Sequence, residues 1–175
     1  MSGVSSRSPL NNLLIKLPIW RYLMSVEAAK TEFLMTLKGS ISLTEGARIN
    51  NKLIFEVSNA SFEGSGIRGE VVAPAGDWID VMPNGTWKLD VRMNAKLDDG
   101  SLAYFQYNGI VCMTEALMER VANGECLTGD DIYFRSAPYI ETNSEKYAWL
   151  NEIVCVGKLR TFNGGDVVYD IFKVL

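Results

Sequence analysis

Apolar and polar residues alternate along most of this chain. In Thr86–Leu97, TWKLDVRMNAKL, the residues Trp87, Leu89, Val91, Met93, Ala95 and Leu97 fall on one side of an extended backbone. Lys88, Asp90, Arg92, Asn94 and Lys96 fall on the other. An unbroken period of two over this length marks a long strand with one face buried. Asp98-Asp99-Gly100 is a turn signal, and SLAYFQYNGIVCM after it reads as a second strand, so the two predict a hairpin.

The same rhythm predicts strands at TEFLMTLKG (31–39), NKLIFEVSNASF (51–62), GIRGEVVAP (66–74), DIYFRSAPYIET (131–142), KYAWLNEIVCVGKLR (146–160) and DVVYDIFKVL (166–175). PNG (83–85) and NGG (163–165) supply hairpin turns. One segment breaks the rhythm. TEALMERVANGE offers Thr114 as N-cap, Glu115 in the first turn, a Leu117, Met118 and Val121 stripe, and Gly124 as stop, which predicts a short helix near 115–123. About eight strands on short turns plus one helix predict a mainly β chain, a single antiparallel β-barrel, which also removes exposed sheet edges.

The glycine-rich stretch SFEGSGIRGEVVAPAGDW (61–78) invites comparison with a phosphate-binding loop. Such a loop leads into a helix N-terminus, where backbone N–H groups converge on the anion. Here the glycines lead into an alternating, β-branched strand. They predict a turn at 64–66, a close approach or bulge at Gly69, and an Asp77-Trp78 pair at a rim.

Composition narrows the function. The chain has 175 residues, 47% hydrophobic, enough for one domain with a real core. A formal net charge of −4 and the absence of any basic run argue against nucleic acid as a partner. There is no histidine, so Ser-His-Asp and Cys-His nucleophile activation and histidine-ligated zinc cannot arise within the chain. Three cysteines without CxxC spacing read as reduced thiols of a cytoplasmic protein, with Cys112 and Cys155 as small core residues. Asp98-Asp99 and Asp130-Asp131 lack a ligand spacing that follows, so no metal is expected.

Residues 1–30 read as an extension to the barrel domain of 31–175. MSGVSSRSP at its start has the composition of a disordered tract. LNNLLIKLPIWRYLM (10–24) is interrupted by Lys16, Pro18 and Arg21, so it predicts neither a membrane span nor a signal peptide. Packing on the domain, a dimer contact and a membrane-surface segment are all open to it.

Three spaced blocks carry a resemblance. FEGSGIRGEVVAPAGDW, LDVRMNAKLDDGSLAYFQYNG (89–109) and YFRSAPYIETNSEKYAWLNEIVCVG (133–157) resemble, in order, the patterns of the DUF3237 family, also called UPF0311. EALMERVANGE is similar to the family's helix, and coverage runs from about residue 31 to the C-terminus. The turn before Asp77-Trp78 is shorter here than the family often has. The resemblance implies a small β-barrel similar to allene oxide cyclase and dirigent-type barrels. By analogy it also implies a lumen that holds an apolar organic molecule, and a possible homodimer.

Parity gives two ways to fill such a lumen, and a barrel can use both, an apolar half that fills and a polar end that forms a pocket. In one, Arg68 and Glu70, Asp90 and Arg92, Tyr104 and Gln106, Tyr133 and Arg135, and Trp149 and Asn151 face inward. In the other, Trp87, Leu89, Val91, Met93, Ile132 and Phe134 make a dry core and the polar set is a solvated face or a row of ion-pair girders. On the first, Asp90, Arg92, Glu70 and Tyr104 are candidate catalytic groups. Arg68, Trp78, Gln106, Tyr133, Arg135, Trp149 and Asn151 are then candidate substrate contacts. A carboxylate among arginines is a weak base, and arginine and tyrosine can hold a developing oxyanion. That set suits a cofactor-independent isomerase, cyclase or lyase (dehydratase) acting on a small oxygenated intermediate of secondary metabolism. The alternatives are a barrel that carries its ligand unchanged, and a subunit that docks a partner through LLIKLPIW.

Overall fold

The structure is a computed structural model and describes residues 27–175; residues 1–26, with the LLIKLPIW segment, lie outside them. Ten strands form in the order β1 (Thr31–Ile41), β2 (Ala47–Ile49), β3 (Lys52–Gly64), β4 (Ile67–Val81), β5 (Thr86–Leu97), β6 (Leu102–Cys112), β7 (Leu127–Thr128), β8 (Phe134–Thr142), β9 (Cys155–Asn163) and β10 (Asp166–Val174). Helix α1 (Glu115–Ala122) lies between β6 and β7, and a single 3-10 turn (Ala148–Glu152) between β8 and β9.

Neighbours run β1-β10-β9-β8-β6-β5-β4-β3, all antiparallel, and β3 pairs back onto β1. The sheet therefore closes into an eight-stranded barrel, a size whose interior side chains can fill or that can hold one small ligand. β2 extends β3 at the rim. The wall is thinnest between β8 and β9, where only Arg135↔Lys158 and Ser136↔Gly157 pair.

β4 outruns its sequence expectation. Pro74 reads as a strand end, because proline has no N–H for the ladder. The strand instead carries Ala73 and Pro74 through a register shift between Val72 and Ala75, then pairs β5 again to Val81. The reverse holds for AWLNE, read as strand and observed as the 3-10 turn. Asn151 explains it: its side chain donates to Thr142 O (3.0 Å) and Ala148 O (3.0 Å) and accepts from Thr142 N (2.9 Å), so it caps a loop instead of lining a strand.

The predicted helix forms with Thr114 as its cap, whose Oγ1 accepts from Leu117 N at 3.3 Å. Leu117 and Val121 are half-buried, but Met118 points to solvent. At Gly69 the expected close approach is present: a Cβ there would strike the Phe62 ring and the Lys96 carbonyl. All three cysteines are free thiols. Cys155 is buried as expected, whereas Cys112 is exposed, because it falls on the outward parity of β6.

The two ends of the barrel are filled differently. The end carrying the β3–β4 and β5–β6 turns is packed with Met35, Phe62, Ile67, Leu97, Ala103, Phe105 and Ile140, and plugged by Tyr147 and Leu150 from the β8–β9 connection. The plug is tethered to the DDG turn. Tyr147 donates to Asp98 Oδ1 (2.6 Å), Lys146 Nζ donates to the same oxygen (3.0 Å), Arg68 lies 3.4 Å from Asp98 Oδ2, and Ser144 donates to Asp99. These contacts hold the Asp98 carboxyl below its ordinary range, the Tyr147 hydrogen bond first among them. Hydrogen bonds from Ser101 and then Ser144 put Asp99 at about 2.

The opposite end is crossed by the long β6–β8 excursion, which lays Met113, Leu127 and Ile132 over the barrel. Asp131 braces that excursion by accepting from Thr128 N (2.8 Å) and Thr128 Oγ1 (2.7 Å) and from Arg120 (3.0 Å).

Candidate functional site

Beneath this cover the barrel is hollow. The cavity has a volume of about 60 Å3 and is walled by apolar side chains such as Leu37, Trp87, Val91, Met93 and Phe162. Of the two parities open to the sequence, the structure takes the apolar one: Trp87, Leu89, Val91, Met93, Ala95 and Leu97 all point inward and are buried. The reason is the transfer free energy, roughly 1.5–3 kcal/mol for each large apolar side chain removed from water.

One inward residue breaks the pattern. Asp77, on β4 opposite Val91, is 7% exposed and lines the cavity. Among the described residues no donor reaches its Oδ1. A carboxylate in such a place pays for its lost hydration by holding its proton. Burial, followed by repulsion from the Asp90 carboxylate and partly offset by the Asp90 backbone N–H, raises the Asp77 carboxyl to about 7.

Two tyrosines share the lumen with it. Tyr107 and Tyr169 stack at 6.0 Å between ring centroids and 15° between planes. Burial raises the Tyr107 hydroxyl well above its ordinary value, with Tyr169 and Asp77 adding to the effect, so it stays a proton donor. Tyr169 is anchored: its hydroxyl donates to the buried Ser136, and its ring occupies space that a Cβ at Gly157 would fill. Burial raises its hydroxyl too, against smaller opposing pulls from the Ser136 hydrogen bond and then from Arg135. The lumen therefore offers one poised carboxyl and one fixed phenol row in apolar walls, a place for proton transfer to or from an uncharged guest.

The residues singled out from the sequence lie elsewhere. Asp90 and Arg92 form a two-pronged ion pair on the outer face (3.2 and 3.1 Å). Arg92 sits across from Gln106, and Asn94 across from Tyr104, both pairs on that same outer face. Glu70 is exposed opposite Lys96, Arg68 belongs to the Asp98 tether, and Trp78 is 40% exposed. Tyr133 is exposed with the Arg135 guanidinium 5.1 Å above its ring; Arg135, half-buried, also donates to Phe134 O (2.9 Å). Trp149 and Asn151 sit on the 3-10 turn. The structure thus places none of this set in the lumen; on β5 every residue of the alternate parity is apolar and takes the inward face.

Asp77 had a readable signal. Ile67, Val71, Ala75, Asp77 and Ile79 share one parity of β4, and Asp77 is the only charge on it. Ending the strand at Pro74 hid that parity. Among the described residues no cluster of three or more Cys, Asp or Glu side chains is placed to hold a metal ion. No helix among them is long and apolar enough to cross a membrane.

Comparison with known proteins fits this architecture. Residues 29–174 match DUF3237, described as a protein of unknown function. The chain belongs to the DUF3237 family. A UPF0311 protein of Rhodopseudomonas palustris is 28% identical over 149 residues, covering 83% of this chain and 97% of that one. The crystal structure of the R. palustris protein superimposes with a TM-score of 0.76 over 86% of this chain and all of that one. A β-barrel like protein from Acinetobacter baumannii gives 0.66 at 25% identity, covering 86% of this chain and 98% of its own. An enzyme from Penicillium herquei, at 17% identity, gives 0.59 with 86% and 97% covered, which is likeness of fold. The DUF3237 blocks seen in the sequence thus acquire structural meanings: the DDG turn and the YAWLN segment build and tether the closed end.

Proposed function

We propose that this DUF3237 barrel is a cofactor-independent acid–base catalyst, an isomerase, cyclase or lyase (dehydratase), for a small oxygenated organic molecule. Asp77 is its acid and base, and Tyr107 donates a hydrogen bond to the guest's oxygen. The observation that carries this reading is Asp77 itself, a buried carboxyl with an unpartnered oxygen in an apolar cavity. A proton-transfer group works best when its pKa lies near the working pH, and about 7 meets that condition in either direction. In the charged form, Asp77 accepts a proton from an acidic C–H or O–H of the guest. In the neutral form it returns that proton to another carbon of the guest, which shifts the double bond, or to a hydroxyl that leaves as water as the C–H electron pair becomes the new double bond. At about 60 Å3 the cavity is far below the roughly 150 Å3 that admits benzene, so a guest enters with its reacting end while the half-buried rim at Ile41, Val57 and Val167 moves aside.

The test uses deuterium. Purified protein is incubated in heavy water with a panel of β-hydroxy ketones, enones and phenols, and the compounds are weighed by mass spectrometry. Wild type is expected to speed deuterium uptake or conversion of at least one compound, and Asp77→Asn to abolish it while the far-ultraviolet spectrum is unchanged. Equal rates in the two proteins overturn the reading. The carrier alternative rests on the lumen holding a single carboxyl. It predicts compounds that raise the melting temperature yet return without deuterium. A homodimer and a cytoplasmic location complete the proposal. Light scattering on the eluted protein reads the first, and cell fractionation the second.

A further inference from the structure

The lumen acid has a charged pair at its back. Asp77 and Trp78 are consecutive on β4 and therefore point to opposite faces of the wall. Trp78 registers against Asp90, and Asp77 against Val91, so Asp90 stands on the outer face one sheet thickness behind Asp77. The Asp90 carboxylate is held by both prongs of Arg92 (3.2 and 3.1 Å). The Trp78 indole folds back over Gly76, where a Cβ would come within 3.0 Å of it, and Gly76 is the cross-strand partner of Arg92. The aromatic ring thus covers the same patch of wall as the ion pair.

We propose that the Asp90–Arg92 pair is a positioning device that acts through the sheet on Asp77. Asp90 disfavours a second negative charge in the lumen, and Arg92 cancels part of that influence. The surroundings of Asp77 leave these two as the charges to vary. From β6 and β10 it faces the neutral Tyr107 and Tyr169; from β3 its partner is Phe55, with Glu56 exposed on the outer side; from β1 the lining is Leu37, Ser40 and Ile41. Arg135 of β8 acts on Tyr169. Repulsion from Asp90 is the largest influence on Asp77 after burial itself.

The inference rests on Asp77 as the lumen acid, but its test reads a proton and not turnover. The titration of the Asp77 side-chain carboxyl carbon is followed by NMR in the full chain, with Asp77→Asn to assign the signal. Asp90→Asn is expected to lower the Asp77 midpoint, and Arg92→Gln to raise it, each by about 0.5–1 in pH for charges separated by a sheet. Arg92→Lys, which keeps the charge, leaves the midpoint near that of wild type. Opposite signs from the two halves of one ion pair cannot arise from general loosening of the barrel, which moves both variants alike. Shifts of the same sign, or none in either variant, overturn the proposal. If one variant fails to fold, Arg92→Lys against the surviving charge-removing variant decides it: the two must differ in the expected direction. Should Asp77→Asn leave deuterium uptake intact while these midpoints move apart, the electrostatic coupling stands and the catalytic reading falls.

Discussion

The two halves of this barrel are made from the same strands and do opposite things. On β6, Phe105 at the closed end is fully buried against Phe62 at 5.1 Å, while Tyr107, two residues on, borders open space. The closed end satisfies its charges outside the core, by tying Asp98 and Asp99 to the plug through Tyr147, Lys146 and Ser144. The hollow end keeps a charge-bearing group inside and leaves one of its oxygens unpartnered. A barrel of this size can fill itself completely. Leaving one end open, with a carboxyl in it, forfeits packing that the other end retains.

The contrast can be broken most severely at the closed end. Phe105→Ala is expected to cost about 3–5 kcal/mol, because the lost ring leaves a void among side chains that are already close-packed. Urea unfolding measures it, and a loss under about 1 kcal/mol would mean that this half is not the stabilising one.

The next largest effect belongs to Asp77 and depends on pH. Its folded value of about 7 lies above the unfolded value of 3.8, so between those limits the folded protein holds more protons. Stability is therefore fully present below about pH 4 and falls as pH rises through 7, by up to about 4 kcal/mol. In Asp77→Asn that fall should disappear, leaving the variant more stable than wild type at pH 8. Parallel profiles for the two proteins would remove Asp77 from its place as the buried acid.

The smallest effect sharpens the comparison by addition instead of removal. Val111→Ile places one methylene into the hollow end and should be neutral or stabilising by up to about 0.8 kcal/mol. Ala103→Val on the same strand enlarges a side chain in the packed end and should cost about 1–3 kcal/mol. Thermal melts of the pair read the difference directly, and equal costs would show that the two ends are packed alike.

The strand pattern was legible because burial acts on every second residue, and that rule needs only the chain itself. Trp87 through Leu97, the DDG turn, the Thr114 cap and the eight-strand count all follow from local chemistry, and the spaced DUF3237 blocks join them. Which parity of β5 faces the lumen also lay within reach, since every residue of one set is apolar. The charged residues of the other β5 parity, Asp90 and Arg92 among them, are left on the outer face. Asp77 stayed hidden. Its parity can be read only if β4 runs on past Pro74, and the decision to continue belongs to the partners β3 and β5, whose ladders resume at Ala75 and Gly76. The hollow was illegible as well, because a cavity is a space between side chains brought from eight strands, and no single segment encodes it. The chain by itself determined which residues seek water and which avoid it. Only closure of the barrel decided which avoided water incompletely, and so left a carboxyl inside.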